Sequence, residues 1–325
     1  MRLCFHETGK PCDVLRLEPS EARAPRGHEV LVRMLYAPIN PADLNLIEGT
    51  YGKQPQFPAV PGNEGAGRVE DVGDAVESLT EGDLVIPLHP VGTWQRHFTI
   101  AENQLARLPE GFDPIQASML RVNPTTAWQL LHQFRDLEPG DFVAQNAANS
   151  GVGRAVIQIA RHLGLRTLNF VRRKELIPEL TALGGDVVML DNHVEDLPSL
   201  RRLLDGKPLR LALNAVGGES ALHLMELLSP GGVLVTYGAM SRRSLKVPNK
   251  LLIFKDLELR GYWLSRWMEK ASHQEIHDTL VPLVDLMKRG ALTLPVERVF
   301  PIAEFQTALA VAAQDGRGGK VILAL

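Results

Sequence analysis

Three groups of residues have the types and spacing for redox chemistry on a small molecule. The first lies in FVAQNAANSGVGRAVIQIA, which sets Gly151 and Gly153 between a strand-like run and a run with helical spacing. Small residues at such a turn let the backbone approach a pyrophosphate, whose charge the free N–H groups and dipole of a helix N-terminus favour. The third position of a G-x-G-x-x-G word is Val156, so the strand–turn–helix context carries the reading; a glycine helix start in another kind of α/β protein is the alternative. The second group is NFVRRKE, about twenty residues on, where a dinucleotide fold presents an acid to a ribose or a base to a 2′-phosphate. Arg172, Arg173 and Lys174 stand there with no acid before Glu175, which favours NADPH over NADH; a solvated basic helix start is the alternative. The third is Tyr51, in the proline- and glycine-rich segment NPADLNLIEGTYGKQPQFPAVPGNEGAG, which reads as a loop. A phenol with a pKa of about 10 is neutral at pH 7 and can donate to an enolate. Tyr51 is either a proton donor or oxyanion stabiliser facing a nicotinamide, or a loop residue packed at a domain interface. Asn45, on the preceding DLN stretch, either orients Tyr51 or the substrate, or is a structural residue of a turn.

The elements that must position these groups fall into two textures. Residues 1–121 carry short β-like runs, EVLVRML, GAGRVEDVG, GDLVIPL and RHFTIAE, broken by turn chemistry such as PGNEG and PEGFDP. That pattern predicts a β-rich unit with long loops. From Asn123 the texture changes, with helical spacing in PTTAWQLLHQF and then a regular alternation. Strands are expected at FVAQNAA, RTLNFV, DVVML, LRLALNAV, GGVLVTYG and LELRGYWL. Helices are expected at GRAVIQIARHLG, RKELIPELTALG, VEDLPSLRRLL (residues 194–204), ESALHLMELLS and HQEIHDTLVPLVDLMKRG. Alternation of this kind predicts a parallel doubly wound sheet over 122–289. The tail, 290–325, reads strand, helix, strand and is expected to return to the first unit.

Composition excludes several functions. A net charge of −3 and a pI near 6.4 leave no electrostatic footprint for nucleic acid or a membrane surface. No apolar stretch approaches the ~20 residues of a membrane-spanning helix. Cys4 and Cys12 are the only cysteines, too few for a disulfide framework or a four-cysteine zinc site, which fits a reducing compartment. The opening MRLCFHETG shows no targeting leader, so a cytoplasmic protein is expected. Asn63 of PGNEG stands where a zinc alcohol dehydrogenase carries the ligand of a GHE word, and His89 and His97 read as ordinary loop and strand residues, so no metal is expected. Hydride chemistry without a metal relies on hydrogen bonds to polarise the acceptor, which favours an activated C=C over a simple carbonyl.

The words INPADLNLIEGTYG, PAVPGNEGAG, VNPTTAWQLL, NAANSGVGRAVIQIARHLGLRTLNFVR, LALNAVGGES, LVTYGAM and LLIFKDLELRGYWLSRW span nearly the whole chain. With them the chain resembles the medium-chain dehydrogenase/reductase superfamily and, within it, the zinc-free 2-enoyl thioester (trans-2-enoyl-CoA/ACP) reductases of the mitochondrial type and their bacterial relatives. The resemblance implies a GroES-like catalytic domain over 1–121, completed by 290–325, a Rossmann NADPH-binding domain over 122–289, and a homodimer. It implies reduction of the C2=C3 bond of a trans-2-enoyl thioester of CoA or acyl carrier protein, with Tyr51 stabilising or protonating the enolate. The implied cofactor contacts are Asn149, Ser150, Gly151, Val152 and Gly153, then Arg172, Arg173 and Lys174, then Tyr237, Met240, Tyr262, Trp263, Leu264 and Lys320. Ala239 and Tyr262 depart from the family pattern, which has glycine and often phenylalanine there. Tyr262 and Trp263 either wall the nicotinamide and acyl channel or are core aromatics, and Trp267 reads as core or dimer contact. The rival activities on the same scaffold are an NADPH:quinone or alkenal reductase and a catalytically silent NADPH-binding protein.

Overall fold

Alternation in EVLVRMLYAP buries Val30, Val32 and Met34 on one face of a long strand, β3 (Glu29–Pro38), around which the first unit is built. The structure, a computed structural model, describes residues 1–191, 200, 202–314 and 316–325. A seven-stranded sheet joins β3 to β4 (Ala66–Val72), β5 (Leu84–Pro87), β6 (His97–Ala101), β7 (Leu105–Arg107), β14 (Val296–Pro301) and β15 (Lys320–Ala324). β15 pairs antiparallel with β3, Ile322 opposite Pro38, so the tail of the chain completes the sheet begun near residue 29. The helix Phe305–Ala313 buries Phe305, Ala308, Leu309 and Ala312 against Phe5, Ile47 and Trp94. A short antiparallel ribbon, β1 (Arg2–Cys4) with β2 (Arg16–Glu18), lies outside this sheet.

The second unit is a six-stranded parallel sheet in the order β10 (Val187–Leu190), β9 (Arg166–Val171), β8 (Phe142–Gln145), β11 (Leu211–Asn214), β12 (Val233–Thr236), β13 (Glu258–Gly261). Every residue of β8 and β11 is buried, as expected of strands covered on both faces. Chain order reverses between β8 and β11, so a crevice opens at their C-terminal ends. The helix Gly151–His162 packs Ala155, Val156, Ile159 and Ala160 into the same core as Leu130, Leu283 and Leu286 from the helices Asn123–His132 and His273–Lys288.

Two expectations need correction. The strand expected over 257–264 ends at Gly261, because Trp263 turns into the N-cap of a helix, Leu264–Lys270, that was not foreseen. Part of the segment expected as loop is also helical, Pro41–Glu48: Pro41 takes the first helical position, where its missing N–H costs nothing, and the Asp43 carboxylate accepts the Asn40 N–H at 2.8 Å. Gly49, at φ 75°, closes that helix in the left-handed conformation and leaves Tyr51 in a bend beyond it. The helix expected over 194–204 lies largely outside the described residues.

Candidate active site

The crevice is held open by buried amides. Asn146 Nδ2 donates to Asn214 Oδ1 and to Ser220 Oγ, each at 2.8 Å, and Asn146 Oδ1 accepts the Ala215 N–H at 2.7 Å. These bonds fix the ends of β8 and β11 where a ligand would enter. In the turn that follows, Ser150 caps the helix by accepting the Gly153 N–H at 3.1 Å. A Cβ on Gly153 would stand 2.6 Å from the Ala148 carbonyl oxygen, so only glycine fits there. A Cβ on Gly151 would stand 2.9 Å from Asn123 Oδ1 and 3.3 Å from Lys320 Cε, which brings both side chains to the helix N-terminus. Asn149, Ser150, Gly151 and Val152 are half-buried around this opening.

Polar atoms here await a ligand. Asn123 Nδ2 and Tyr237 Oη are buried with no hydrogen-bond partner among the described residues, and burial pushes the Tyr237 phenol pKa up. An unsatisfied amide donor and a neutral phenol beside an open helix N-terminus fit a phosphate-bearing dinucleotide. Arg172, Arg173 and Lys174 follow β9 as exposed residues, and Arg173 reaches the Gly316 carbonyl at 3.5 Å. Met240, 57% exposed, lies on the loop after β12 with its N–H on the Ala215 carbonyl. The aromatic pair after β13 divides. Tyr262 turns inward, its ring edge-on to Phe134 at 6.1 Å, while Trp263 turns into the cleft between the units and Leu264 starts the next helix.

Trp263 meets Tyr51 there. Its Nε1–H donates to Tyr51 Oη at 2.7 Å, and the rings stand edge-on at 5.6 Å and 84°. An indole N–H is a donor only, so Tyr51 oxygen is the acceptor and its own proton remains for another partner. Asn45 acts through its backbone: its carbonyl accepts the N–H groups of Thr50 at 2.9 Å and Tyr51 at 3.1 Å, pinning the bend.

Behind Tyr51 lies a buried charged cluster, of whose ionisable members the sequence points only to Lys320. Asp43 Oδ1 accepts the Asn63 backbone N–H at 2.8 Å and its side-chain amide at 2.6 Å. Glu64 accepts from Asn40 Nδ2 at 2.8 Å and from the Val122 N–H at 2.7 Å. Burial pushes the pKa of both carboxyls up, against the pull of these bonds and of Lys320. Lys320 Nζ donates to Asn40 Oδ1; burial pushes its pKa down, and Glu64 and Asp43 oppose that. Arg121 donates to the Asn63 carbonyl; burial lowers its pKa too, while Glu64, Asp43 and Tyr51 act in the other direction. Polar residues in NPAD and GNEG, inside otherwise apolar words, were the available signal.

Residues 26–110 match the alcohol dehydrogenase GroES-like domain family, and residues 183–323 match the zinc-binding dehydrogenase family. With the parallel sheet and its glycine turn, these matches define a GroES-like catalytic domain joined to a Rossmann-type domain, the medium-chain dehydrogenase/reductase scaffold. The zinc in the second family's name does not fit this cleft, since Asn63 is neutral and its amide is committed to Asp43. Among the described residues, Cys4, His6 and Glu18 bring possible ligand atoms within 4.8 Å of one another, but beside the β1–β2 ribbon and apart from the wall around Tyr51. The chain is 42% identical to the mitochondrial enoyl-[acyl-carrier-protein] reductase of Rattus norvegicus, over 99% of this chain and 88% of that protein. The Caenorhabditis elegans protein of the same name is 45% identical over 90% and 85%. A solved Etr1p/NADP/crotonyl-CoA complex superposes with a TM-score of 0.90 at 27% identity, covering 100% of this chain and 99% of that one. A quinone oxidoreductase of Pseudomonas syringae pv. Tomato DC3000 superposes with a TM-score of 0.87 at 27% identity, over 100% and 99%. The chain belongs to the family of the mitochondrial-type enoyl-[acyl-carrier-protein] reductases. Among the described residues no helix is long and apolar enough to cross a membrane.

Proposed function

We infer that this enzyme reduces the C2=C3 bond of trans-2-enoyl thioesters with NADPH, and that Tyr51 handles the proton. The observation that carries the role of Tyr51 is the Trp263 hydrogen bond, which occupies the phenol oxygen as acceptor and leaves its proton directed elsewhere. NADPH, when bound, supplies the hydride that adds to the β-carbon. Negative charge then builds on the thioester oxygen as an enolate, and the α-carbon takes a proton. Tyr51 donates that proton or a hydrogen bond to the enolate, and Trp263 Nε1–H stabilises the charge left on the phenol oxygen. The turn Asn149–Gly153 would hold the pyrophosphate at the N-terminus of the helix Gly151–His162, and Arg172, Arg173 and Lys174 would meet the 2′-phosphate. Tyr237, Met240, Trp263, Leu264 and Lys320 would line the rest of the cofactor path, and Tyr262 would support it from the core.

The domains divide at 121/122, with 290–325 in the catalytic domain. A homodimer is part of the same reading: Ile253 and Phe254, 69% and 81% exposed, and Leu259 lie at or near β13, which ends the parallel sheet. So is a cytoplasmic location, since an exposed free thiol at Cys12 suits a reducing compartment. Quinone reduction is the second reading, favoured by the Pseudomonas syringae superposition; it needs hydride transfer without an obligatory acid. Measuring NADPH oxidation with crotonyl-CoA, a longer trans-2-enoyl-CoA and a quinone side by side separates them. The thioesters are expected to turn over and the quinone to lag; rapid quinone turnover with idle thioesters would reverse the assignment.

A further inference from the structure

One buried guanidinium between the two units has no part in the reaction as derived so far. Arg121 is 2% exposed; it donates to the carbonyl oxygens of Asn63 and, at 3.3 Å, Leu88, and it lies 3.2 Å from Met268 Sδ. Its Nε–H has no partner among the described residues. A guanidinium stays charged even when buried, so its field must act on what surrounds it. Glu64 and Asp43 lie on one side, and Tyr51 is close enough to interact with it through space. Met268 belongs to the helix Leu264–Lys270, whose N-cap residue Trp263 is the partner of Tyr51. Arg121 thus reaches the phenol through the seat of that helix.

We propose that Arg121 is the positioning residue of Tyr51, seating through Met268 the helix whose N-cap residue, Trp263, holds the phenol oxygen. The inference rests on Tyr51 as the proton donor. In that step the O–H bond of Tyr51 breaks, a C–H bond to the substrate's α-carbon forms, and the electron pair stays on Oη, facing the Trp263 N–H. Solvent water returns the proton. The other titratable groups around Arg121 and Tyr51 are Glu64 and Asp43, Lys320 behind them on β15, and His89 after β5, which is itself in the field of His273 and Glu269.

The test compares Arg121→Gln, which keeps an N–H for the Asn63 carbonyl and drops the charge, with Arg121→Lys, which keeps the charge. Each is made in the full chain, alone and with Tyr51→Phe, and kcat and KM for crotonyl-CoA are followed from about pH 6 to about pH 10. Losing the contact to Met268 loosens the helix that carries Trp263, so Arg121→Gln is expected to lower kcat roughly thirtyfold. KM and NADPH affinity should stay within about twofold, and Arg121→Lys should recover most of the kcat lost in the Gln variant. In the Tyr51→Phe background the Gln substitution should cost less than about threefold. An unchanged kcat in the Gln variant, an equal cost in both backgrounds, or a KM that rises as far as kcat falls would each remove this inference alone. A loss of less than about fivefold on Tyr51→Phe itself would remove the donor reading and this inference together.

Discussion

In the cofactor crevice, the turn after β8 is one continuous stretch, Ala147 to Gly153, whose geometry is set by glycines with no room for a side chain. The wall around Tyr51 is assembled otherwise. Tyr51 and Trp263 bond across 212 positions of sequence, and the cluster behind them draws on residues 40, 43, 63, 64, 121 and 320. The contrast follows from what each side must do. Binding a pyrophosphate needs backbone N–H groups at a helix N-terminus, which a local word can encode. Placing a proton donor needs charges and donors converging from several elements, which only the folded chain brings together.

The largest effect expected on the crevice side comes from its basic residues. Replacing Arg172 and Arg173 together by alanine should weaken NADPH by about 10²-fold, since charge-assisted bonds to a phosphate contribute roughly 1.5–3 kcal/mol. NADH, which has no phosphate there, should be nearly unaffected. Titrating both cofactors checks this, and equal losses would mean that the pair supports the fold, as the reach of Arg173 to Gly316 allows. A smaller effect belongs to the other side: Trp263→Phe keeps a ring against Tyr51 and removes the N–H, so kcat should fall about three- to tenfold, the worth of one hydrogen bond. Unchanged kcat in steady-state assays would detach Trp263 from the proton step and weaken the contrast between the two regions. The smallest effect is none at all. Incubation with EDTA should leave activity intact, because Asn63 commits its amide to Asp43; loss with EDTA and recovery with zinc would overturn the metal-free cleft.

The same contrast explains what was legible in the sequence. Alternating strands and helices announced the parallel sheet because each strand from β8 to β12 is a short apolar run between helices with clear periodicity. The helix Leu264–Lys270 was missed because it is seven residues long and abuts a strand with aromatic residues at its end. The helix Pro41–Glu48 hides in a proline- and glycine-rich segment whose composition reads as loop, although proline at the first helical position is a start signal. Tyr51 was legible as a candidate, yet its partner and the buried ions behind it were not, since nothing local to Arg121 or Glu64 marks them as neighbours. Tyr262 and Trp263, adjacent in sequence, face opposite ways, and only the turn after β13 decides which one enters the cleft.

The proton-donor wall is tested most directly by Tyr51→Phe, measured for kcat on crotonyl-CoA and, separately, for NADPH affinity. The phenol donor aimed at developing charge is removed, together with the acceptor of the Trp263 N–H, so kcat should fall by about 10²-fold or more while NADPH binds as in the wild type. A loss of less than about fivefold in kcat, or an equal loss in NADPH affinity, would contradict the assignment of the proton to Tyr51.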